Sequence, residues 1–279
     1  METPPVVLTI AGFDPSSGAG VTADIKTIAA HGCYGVACIT ALTVQSSSGV
    51  RRVEPVEADL VSETLEELAG DLELGAVHIG MLGTGKLVRV VADFLAAHKP
   101  PAVVLDPVLR SSSGTDLLDP PGVRLLTERL LPLATAITPN LDEAARLTGL
   151  EVTNLEQMRA AAARLHAMGA AAVIVTGGHL DPTIELLSFR RETGIEQETF
   201  KAARLRSTST HGTGCAFSTA VACHLAGGRS LSEAVLLAKA YVSSAIAKAY
   251  PVGRGTGPVH HLYRTQQKPR ATAAVIAEQ

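Results

Sequence analysis

Short apolar runs alternate along the chain with longer segments in which apolar residues recur at helical spacing. Six runs are continuously apolar or nearly so: 6–11, 34–42, 76–80, 101–108, 134–139 and 171–178. Such runs are typical of strands buried on both faces of a parallel sheet. The helical segments between them cover 18–32, 57–72, 85–98, 121–130, 140–149 and 154–168. This alternation predicts an α/β fold with a mostly parallel central sheet and helices on both faces.

The last third of the chain departs from that alternation. The segments 184–191 and 196–204, with Glu-Thr-Gly between them, predict a small hairpin at the edge of the sheet. Two long helical patterns follow, at 213–226 and 231–249. No repeat and no linker divides the chain, so we expect a single domain over 1–263 and a loosely ordered tail over 264–279.

Composition excludes several classes of function. The 279 residues carry a net charge of -3, whereas nucleic-acid-binding proteins usually show a basic excess. No apolar stretch approaches the roughly 18 residues that span a membrane, and the amino terminus does not look like a signal peptide. The four cysteines show no CxxC pair and no metal-ligand spacing. We therefore expect a reduced, cytoplasmic protein.

The carboxyl ends of the predicted strands are the place to look for chemistry, because such sheets bind ligands there. Strand 6–11 leads into AGFDPSSGAG, with Asp24 one helical turn beyond. Asp106 stands at the end of the strand 101–108, where it is either a turn former or a carboxylate beside a metal. Asn140 and Glu143 have the spacing of a helix capping box, and with Asp106 they could equally hold a hydrated Mg²⁺.

The stretch STHGTGCAF at 209–217 precedes a predicted helix. Gly212, Thr213 and Gly214 would leave N–H groups free at the helix start, and such a site attracts anions. Cys215 is then either a small apolar residue of the first turn or a thiol aimed at the same anion. The helix field is expected to lower the pKa of that thiol. His211 is interpreted as a loop residue that makes hydrogen bonds.

A second glycine-rich run, GMLGTGKL at 80–87, has the G-x-x-x-x-G-K pattern of a phosphate loop. The next position should be Ser or Thr to bind Mg²⁺, but it is Leu87. We therefore do not expect a phosphate loop here. Met81 is expected either to line a pocket or to pack in the core.

Taken in order, the motifs resemble a known family. AGFDPSSGAGVTADIKT, ITALTVQ, IGMLGT, VLDPV, ITPNLDEA, VTGGH, STHGTGCAFSTA and GPVHH occur over 6–262. Their order and spacing are similar to those of the hydroxymethylpyrimidine/phosphomethylpyrimidine kinases of thiamine biosynthesis, in the ribokinase-like superfamily. The resemblance implies a homodimeric enzyme that phosphorylates 4-amino-5-hydroxymethyl-2-methylpyrimidine and then its monophosphate, with ATP and Mg²⁺.

The resemblance also assigns roles to residues. Gln45 would read the pyrimidine, since an amide offers one donor and one acceptor, as an aminopyrimidine edge does. The other substrate-binding positions are Gly12, Asp24, Met81 and Val108. The catalytic positions are Gly212 and Gly214 of the anion hole and Cys215 as the base. The metal positions are Asp106 and Glu143, and those for ATP and its phosphates are Asn140, Thr176, Thr213 and Lys239.

One position departs from the family pattern. Thr176, in VTGGH, stands where relatives often carry a lysine. A threonine can donate a hydrogen bond but brings no charge, so neutralisation of the triphosphate would depend on Mg²⁺, the helix N-terminus and Lys239.

Three alternatives stay open. Some pyridoxal kinases of this branch also have the threonine, although pyridoxal lacks the edge that Gln45 would read. A pyrimidine-binding protein without turnover is the second alternative. An enzyme that uses Cys215 as a nucleophile is the third, and it lacks a persuasive histidine partner other than the adjacent His211.

Overall fold

The computed structural model describes residues 3–111 and 113–265, which build one nine-stranded sheet in the order β3-β2-β1-β4-β5-β6-β7-β8-β9. Its strands are β1 (Val6–Phe13), β2 (Tyr34–Ser46), β3 (Gly49–Pro55), β4 (Leu74–Ile79), β5 (Val103–Leu105), β6 (Ala136–Ile137), β7 (Ala172–Gly177), β8 (Thr183–Arg191) and β9 (Gly194–Ala202).

Six of these strands run parallel, as the continuously apolar runs predict. The hairpin of β8 and β9 extends the sheet at one edge and is antiparallel, which confirms the predicted edge hairpin. The other edge differs from the prediction. There β2 continues to Ser46 and turns back into β3, an antiparallel strand that the apolar pattern does not reveal because its side chains are largely exposed.

Helices cover both faces of the sheet. They are α1 (Gly20–Ala30), α2 (Ala58–Asp71), α3 (Gly85–His98), α4 (Pro120–Leu125), α5 (Leu141–Thr148), α6 (Leu155–Ala167), α7 (Thr213–Ala226) and α8 (Leu231–Ala247). Each face of the sheet has its own apolar core. Buried residues of α2, α3, α5 and α6 pack in one core, and those of α1, α7 and α8 pack in the other. The predicted α/β architecture is therefore confirmed.

Two predictions, the loosely ordered tail and the single domain, are not tested by the described residues. The predicted tail, 264–279, lies outside the described residues apart from its first two positions. That residues 1–263 form a single domain stays a prediction. Within the described ranges, no helix combines the length and the apolar character that crossing a membrane requires.

Histidines are packed between α1, α7 and α8. The ring of His31 lies 4.9 Å from that of His224 and 4.5 Å from that of Tyr241. Burial lowers the pKa of His224 and of His261 to about 4, and it also lowers the pKa of His31. The Nε2 atoms of these three histidines find no hydrogen-bond partner among the described residues. The fold therefore holds these rings neutral.

This packing predicts a loss of stability in acid. The pKa of an unfolded histidine is about 6.5, so between that pH and about 4 the unfolded chain binds more protons than the folded one. The free energy of unfolding should therefore fall as the pH is lowered through this range. We expect His224→Leu to reduce that fall, as measured by urea unfolding between pH 7 and pH 4.5.

A matched control is His179→Leu, because His179 is an exposed histidine. It should leave the slope of stability against pH at the wild-type value. Equal slopes for the wild type and His224→Leu would show that this cluster does not set the acid sensitivity.

Candidate active site

A cavity of about 450 Å³ opens at the carboxyl ends of the parallel strands. The loops that follow β1, β4, β5 and β6 line it, together with the start of α7. Of the residues predicted from the sequence, the structure brings these into its wall: Gly12, Asp24, Gln45, Met81, Asp106, Val108, Asn140, Glu143, Thr176, Gly212, Thr213, Gly214 and Cys215. Their individual roles stay predictions.

The N-terminus of α7 points into this cavity. Gly212 caps the helix with φ 77° and ψ 11°, a left-handed conformation that suits glycine. A Cβ at this position would collide with the carbonyl oxygen of Gly18, so the loop before α1 and the start of α7 meet backbone to backbone. The first N–H groups of a helix have no partner within it. The cavity therefore has a positive end that fits a phosphate group.

The thiol of Cys215 differs from the expectation. Burial, together with the negative charges of Asp106 and Asp24, raises its pKa well above the usual value, whereas the helix field was expected to lower it. The backbone N–H of Gly20 donates a hydrogen bond to the sulfur and offsets only part of this effect. The thiol is therefore protonated in the protein alone.

Two carboxylates lie buried in the same wall. Burial raises the pKa of Asp106 to about 6, although His78 and Ser218 offset part of the shift. Burial and the charge of Asp106 raise the pKa of Glu143 to about 8. Two carboxylates that repel each other in a buried place are stabilised by a cation between them.

Asn140 and Glu143 also form the capping box that their spacing predicts. The Asn140 side chain accepts from the backbone N–H of Glu143, and the Glu143 side chain accepts from that of Asn140, both at 2.9 Å. The capping box uses only one Glu143 oxygen. Glu143 can therefore cap the helix and also face a metal ion with its other oxygen.

The donor set fits Mg²⁺ better than a tightly ligated metal. Within the described part of the chain, no group of three or more His, Cys, Asp or Glu residues is arranged to hold a metal ion. Mg²⁺ is commonly held by one or two carboxylates, with water and substrate phosphates completing its coordination. Asp106 and Glu143 supply that number.

The opposite side of the cavity carries Gln45 on β2. Its amide oxygen accepts from Thr43 at 3.2 Å, and its amide nitrogen lies 3.3 Å from Nε2 of His211. His211 Nε2 also lies 2.9 Å from the carboxylate of Asp14. Sequence reasoning assigned no role to Asp14, although the residue stands within the AGFDPSSGAG motif.

Asp14 organises the turn after β1. Its carboxylate accepts hydrogen bonds from Ser16 and from the backbone N–H of Ala19, as well as from His211. Burial raises the pKa of Asp14, but the hydrogen bonds from His211, Ser16 and Ala19 outweigh it and hold the pKa below its usual value. A carboxylate thus joins the turn after β1 to the loop before α7.

An apolar wall lies between these polar sides. Met81 and Leu117 pack together with Ala41, and Val108 packs against this group. A Cβ on Gly12 would lie 3.0 Å from the Met81 sulfur, so the glycine lets the methionine approach the backbone. Leu87, which stands where a phosphate loop would need Ser or Thr, is buried in the core.

Lys239 is the predicted residue that the structure does not bring into the cavity wall. Its ammonium forms a buried ion pair with Glu185 on β8 and donates to Thr183 at 3.2 Å. Glu185 is the cross-strand partner of Thr176, so Lys239 contacts the sheet one strand beyond the strand that carries Thr176. Burial lowers the pKa of Lys239 to about 8. Its expected contact with ATP stays a prediction.

Asp24 lies at the floor of the cavity and is fully buried. Its two oxygens accept from the hydroxyls of Thr9 at 2.7 Å and Thr219 at 2.9 Å. The neighbouring His78 also reaches the cavity wall. No sequence signal marks this histidine, which stands in the middle of an apolar strand.

Comparison with known proteins gives one consistent answer. A family model described as phosphomethylpyrimidine kinase matches residues 14–260. The hydroxymethylpyrimidine/phosphomethylpyrimidine kinase of Streptomyces coelicolor is 44% identical over 260 residues, which cover 93% of this chain and 95% of the relative. The thiamine biosynthesis bifunctional protein ThiED of Geobacter sulfurreducens is 42% identical, and the chain spans about half of its length, 52%.

Among solved structures, an ADP complex of Bacillus subtilis pyridoxal kinase is similar, with a TM-score of 0.86 and 32% sequence identity. The match covers 95% of this chain and all of that one. The family model spans most of the chain, and the relative from Streptomyces matches along nearly its whole length. The chain belongs to the phosphomethylpyrimidine kinase family.

Proposed function

We propose that this protein transfers phosphate from ATP to 4-amino-5-hydroxymethyl-2-methylpyrimidine, and then to the resulting monophosphate, in the synthesis of thiamine. One observation carries the proposal. A single cavity joins a helix N-terminus that suits phosphate, a pair of buried carboxylates and the amide of Gln45. The family and the names of the relatives support the same activity.

The start of α7 would hold the transferred phosphate. Phosphoryl transfer depends mainly on positioning and on neutralising charge that spreads over the phosphate oxygens. The N–H groups of Gly214 and Cys215 are at the first turn of the helix, and Gly212 fixes their direction. The hydroxyl and the backbone N–H of Thr213 both donate to the carbonyl of Thr210, at 2.6 and 3.3 Å, so the N–H groups of Gly214 and Cys215 are the ones that face a phosphate.

Asp106 and Glu143 would hold Mg²⁺, which supplies charge neutralisation between the phosphates of ATP. Asn140 keeps Glu143 in place through the capping box. Because Thr176 brings no charge and Lys239 is paired with Glu185, the described residues leave the neutralisation of the triphosphate mainly to the cation and to α7.

Cys215 would receive the proton of the hydroxymethyl group in the first reaction. Its sulfur lies among Asp106, Asp24 and the Gly20 N–H, at the helix start where the phosphate is expected. Two of the negative charges that raise its pKa, those of Asp106 and Glu143, belong to the residues that would hold the cation, so cation binding favours the thiolate. The monophosphate needs no such base, because its second pKa is about 6.

A pyridoxal kinase is the second candidate. The solved structure of Bacillus subtilis pyridoxal kinase supports it, since its fold is similar over nearly the whole chain. Gln45 favours the pyrimidine instead, because its amide matches the ring nitrogen and amino group of that substrate.

The homodimer is also part of the proposal. Ile39, Leu42 and Val44 are 37%, 52% and 53% exposed. The bulge in β2 opposite Ala11 to Phe13 places these three side chains on the same face of the strand. An exposed apolar row on a sheet is typical of a surface that another protein covers. In a homodimer, the row of one chain would pack against the same row of a second copy, so that both are covered.

The cytoplasmic location is proposed from the four cysteines, all of them free thiols.

The direct test is turnover of ATP in the presence of Mg²⁺, with hydroxymethylpyrimidine, its monophosphate or pyridoxal as the acceptor. We expect the diphosphate of the pyrimidine to form. Gln45→Ala should lower kcat/KM for the pyrimidine by roughly 10- to 100-fold, since a buried polar edge loses its partners. Gln197→Ala, on the exposed strand β9, is the control.

Activity with pyridoxal alone would support the second candidate. An unchanged kcat/KM in Gln45→Ala would show that this amide does not read the substrate.

Cys215→Ala should separate the two reactions. We expect kcat of the first to fall by roughly 100-fold or more, the usual contribution of a general base, and kcat of the second by less than about fivefold. Single-turnover measurements with each acceptor would provide the two values. Comparable losses in both would mean that Cys215 orients ligands and does not accept the proton.

The exposed row on β2 gives a prediction for assembly. Sedimentation equilibrium should yield a mass near twice 28.9 kDa for the wild type and near 28.9 kDa for the double variant Leu42→Lys/Val44→Lys. Leu60→Lys, which changes an equally exposed leucine on α2, should leave the mass unchanged. A monomeric wild type would refute this part of the proposal.

A further inference from the structure

His78 on β4 is completely buried at the floor of the cavity. One of its ring nitrogens faces Thr9 and Asp24, and the other faces Ser218 on α7. Such complete burial is costly for a polar ring unless both nitrogens have partners. The arrangement of these partners determines where the protons of the ring lie.

Around Nδ1 the described neighbours are acceptors. Thr9 and Thr219 each have one hydroxyl proton, and both donate it to the Asp24 carboxylate. Their oxygens then face Nδ1 of His78 at 3.2 and 3.4 Å, and an Asp24 oxygen lies at 3.4 Å. Because a hydroxyl that has given away its proton can only accept, Nδ1 must carry a hydrogen.

Around Nε2 the partner is the Ser218 hydroxyl, at 2.9 Å. Ser218 has one proton, and it also lies 3.2 Å from an oxygen of Asp106. The carbonyl oxygens of Gly214 and Cys215, each at 3.1 Å, are the other acceptors near it. If Nε2 donates to Ser218, the serine proton is free to point to Asp106.

The charges near the ring favour that arrangement. Burial alone lowers the pKa of His78, but the carboxylates of Asp24 and Asp106 outweigh it and raise the pKa above its ordinary value. The fully buried Asp24 carboxylate lies 3.4 Å from Nδ1 and has two neutral hydroxyls as its other partners, so His78 pairs with it as a ring that carries both protons and donates on both sides. Ser218 is then left with acceptors only.

We propose that His78 is a positioning residue for phosphoryl transfer, which acts by donating to Ser218 so that the serine hydroxyl donates to Asp106. One Asp106 oxygen is thereby tied to the floor, and the other is left for the cation. The inference rests on the proposed function, in which Asp106 faces Mg²⁺. It adds His78 and Ser218 to the site, as a chain of hydrogen bonds that runs from Asp24 and reaches the Asp106 carboxylate from below.

The test is calorimetric binding of ADP with and without Mg²⁺, which needs no turnover. Ser218→Ala should weaken binding of the Mg²⁺ complex of ADP roughly tenfold, the typical effect of losing one hydrogen bond to a charged group. It should leave binding of metal-free ADP, in the presence of a chelator, unchanged. His78→Asn should have a similar effect, because Asn lacks a donor that reaches Ser218.

Two comparisons distinguish positioning from a merely structural role. His78→Gln places an amide N–H near the position of Nε2 and should restore binding to within about threefold of the wild type. The double variant His78→Asn/Ser218→Ala should be no weaker than either single variant, since both remove the same hydrogen-bond chain.

The chain contains a matched control. His166 and Ser188 form another buried pair, with Nε2 and Oγ 3.0 Å apart, between α6 and β8. Neither residue lines the cavity. Ser188→Ala should lower the melting temperature as a lost buried hydrogen bond does, but it should not change the Mg²⁺ dependence of ADP binding.

Ser218→Ala with wild-type binding of the Mg²⁺ complex would overturn the proposal, as would losses that multiply in the double variant. A folded wild type that binds the Mg²⁺ complex of ADP but phosphorylates none of the three acceptors would refute the proposed function and leave this test intact.

Discussion

The burial of Asp106 and Glu143 within one wall of the cavity is the constraint on which the rest of the site depends. The two carboxylates repel each other, and burial together with this repulsion raises the pKa of Glu143 to about 8. The fold compensates with neutral donors, through the capping box at Asn140 and through Ser218. These donors bring no full positive charge, and the charge of His78 is paired with Asp24, so the wall keeps an affinity for a cation, and the start of α7 offers the complementary place for an anion.

The fold could largely be predicted from the sequence because parallel strands are buried on both faces and therefore read as apolar runs. The exception has the same physical origin. Strand β3 (Gly49–Pro55) lies at an exposed edge, and its two arginines and one glutamate give no apolar signal. The turn before it is made of serines, and a serine run indicates a long loop as well as it indicates a tight turn between two strands.

The location of the site could also be predicted, because the ends of parallel strands meet at one edge. What could not be predicted are effects of partners distant in sequence. Lys239 meets Glu185, 54 positions away, and so leaves the cavity wall. The pKa of Cys215 rises because the fold buries the thiol and brings Asp106 and Asp24 close to it. A histidine within an apolar strand, such as His78, gives no local sign of the hydrogen bonds that it makes.

Glycines on two loops bring main chain against main chain under the phosphate end of the cavity. A side chain on Gly20 would collide with the carbonyl of Gly12, and one on Gly212 with that of Gly18. A side chain at either position would force the two backbone segments apart, whereas Gln45 and Val108 could be exchanged without moving the backbone. In the proposed function, rigid backbone would hold the phosphate and side chains would select the acceptor. Such a division would let one scaffold accept different heterocyclic substrates with the same chemistry.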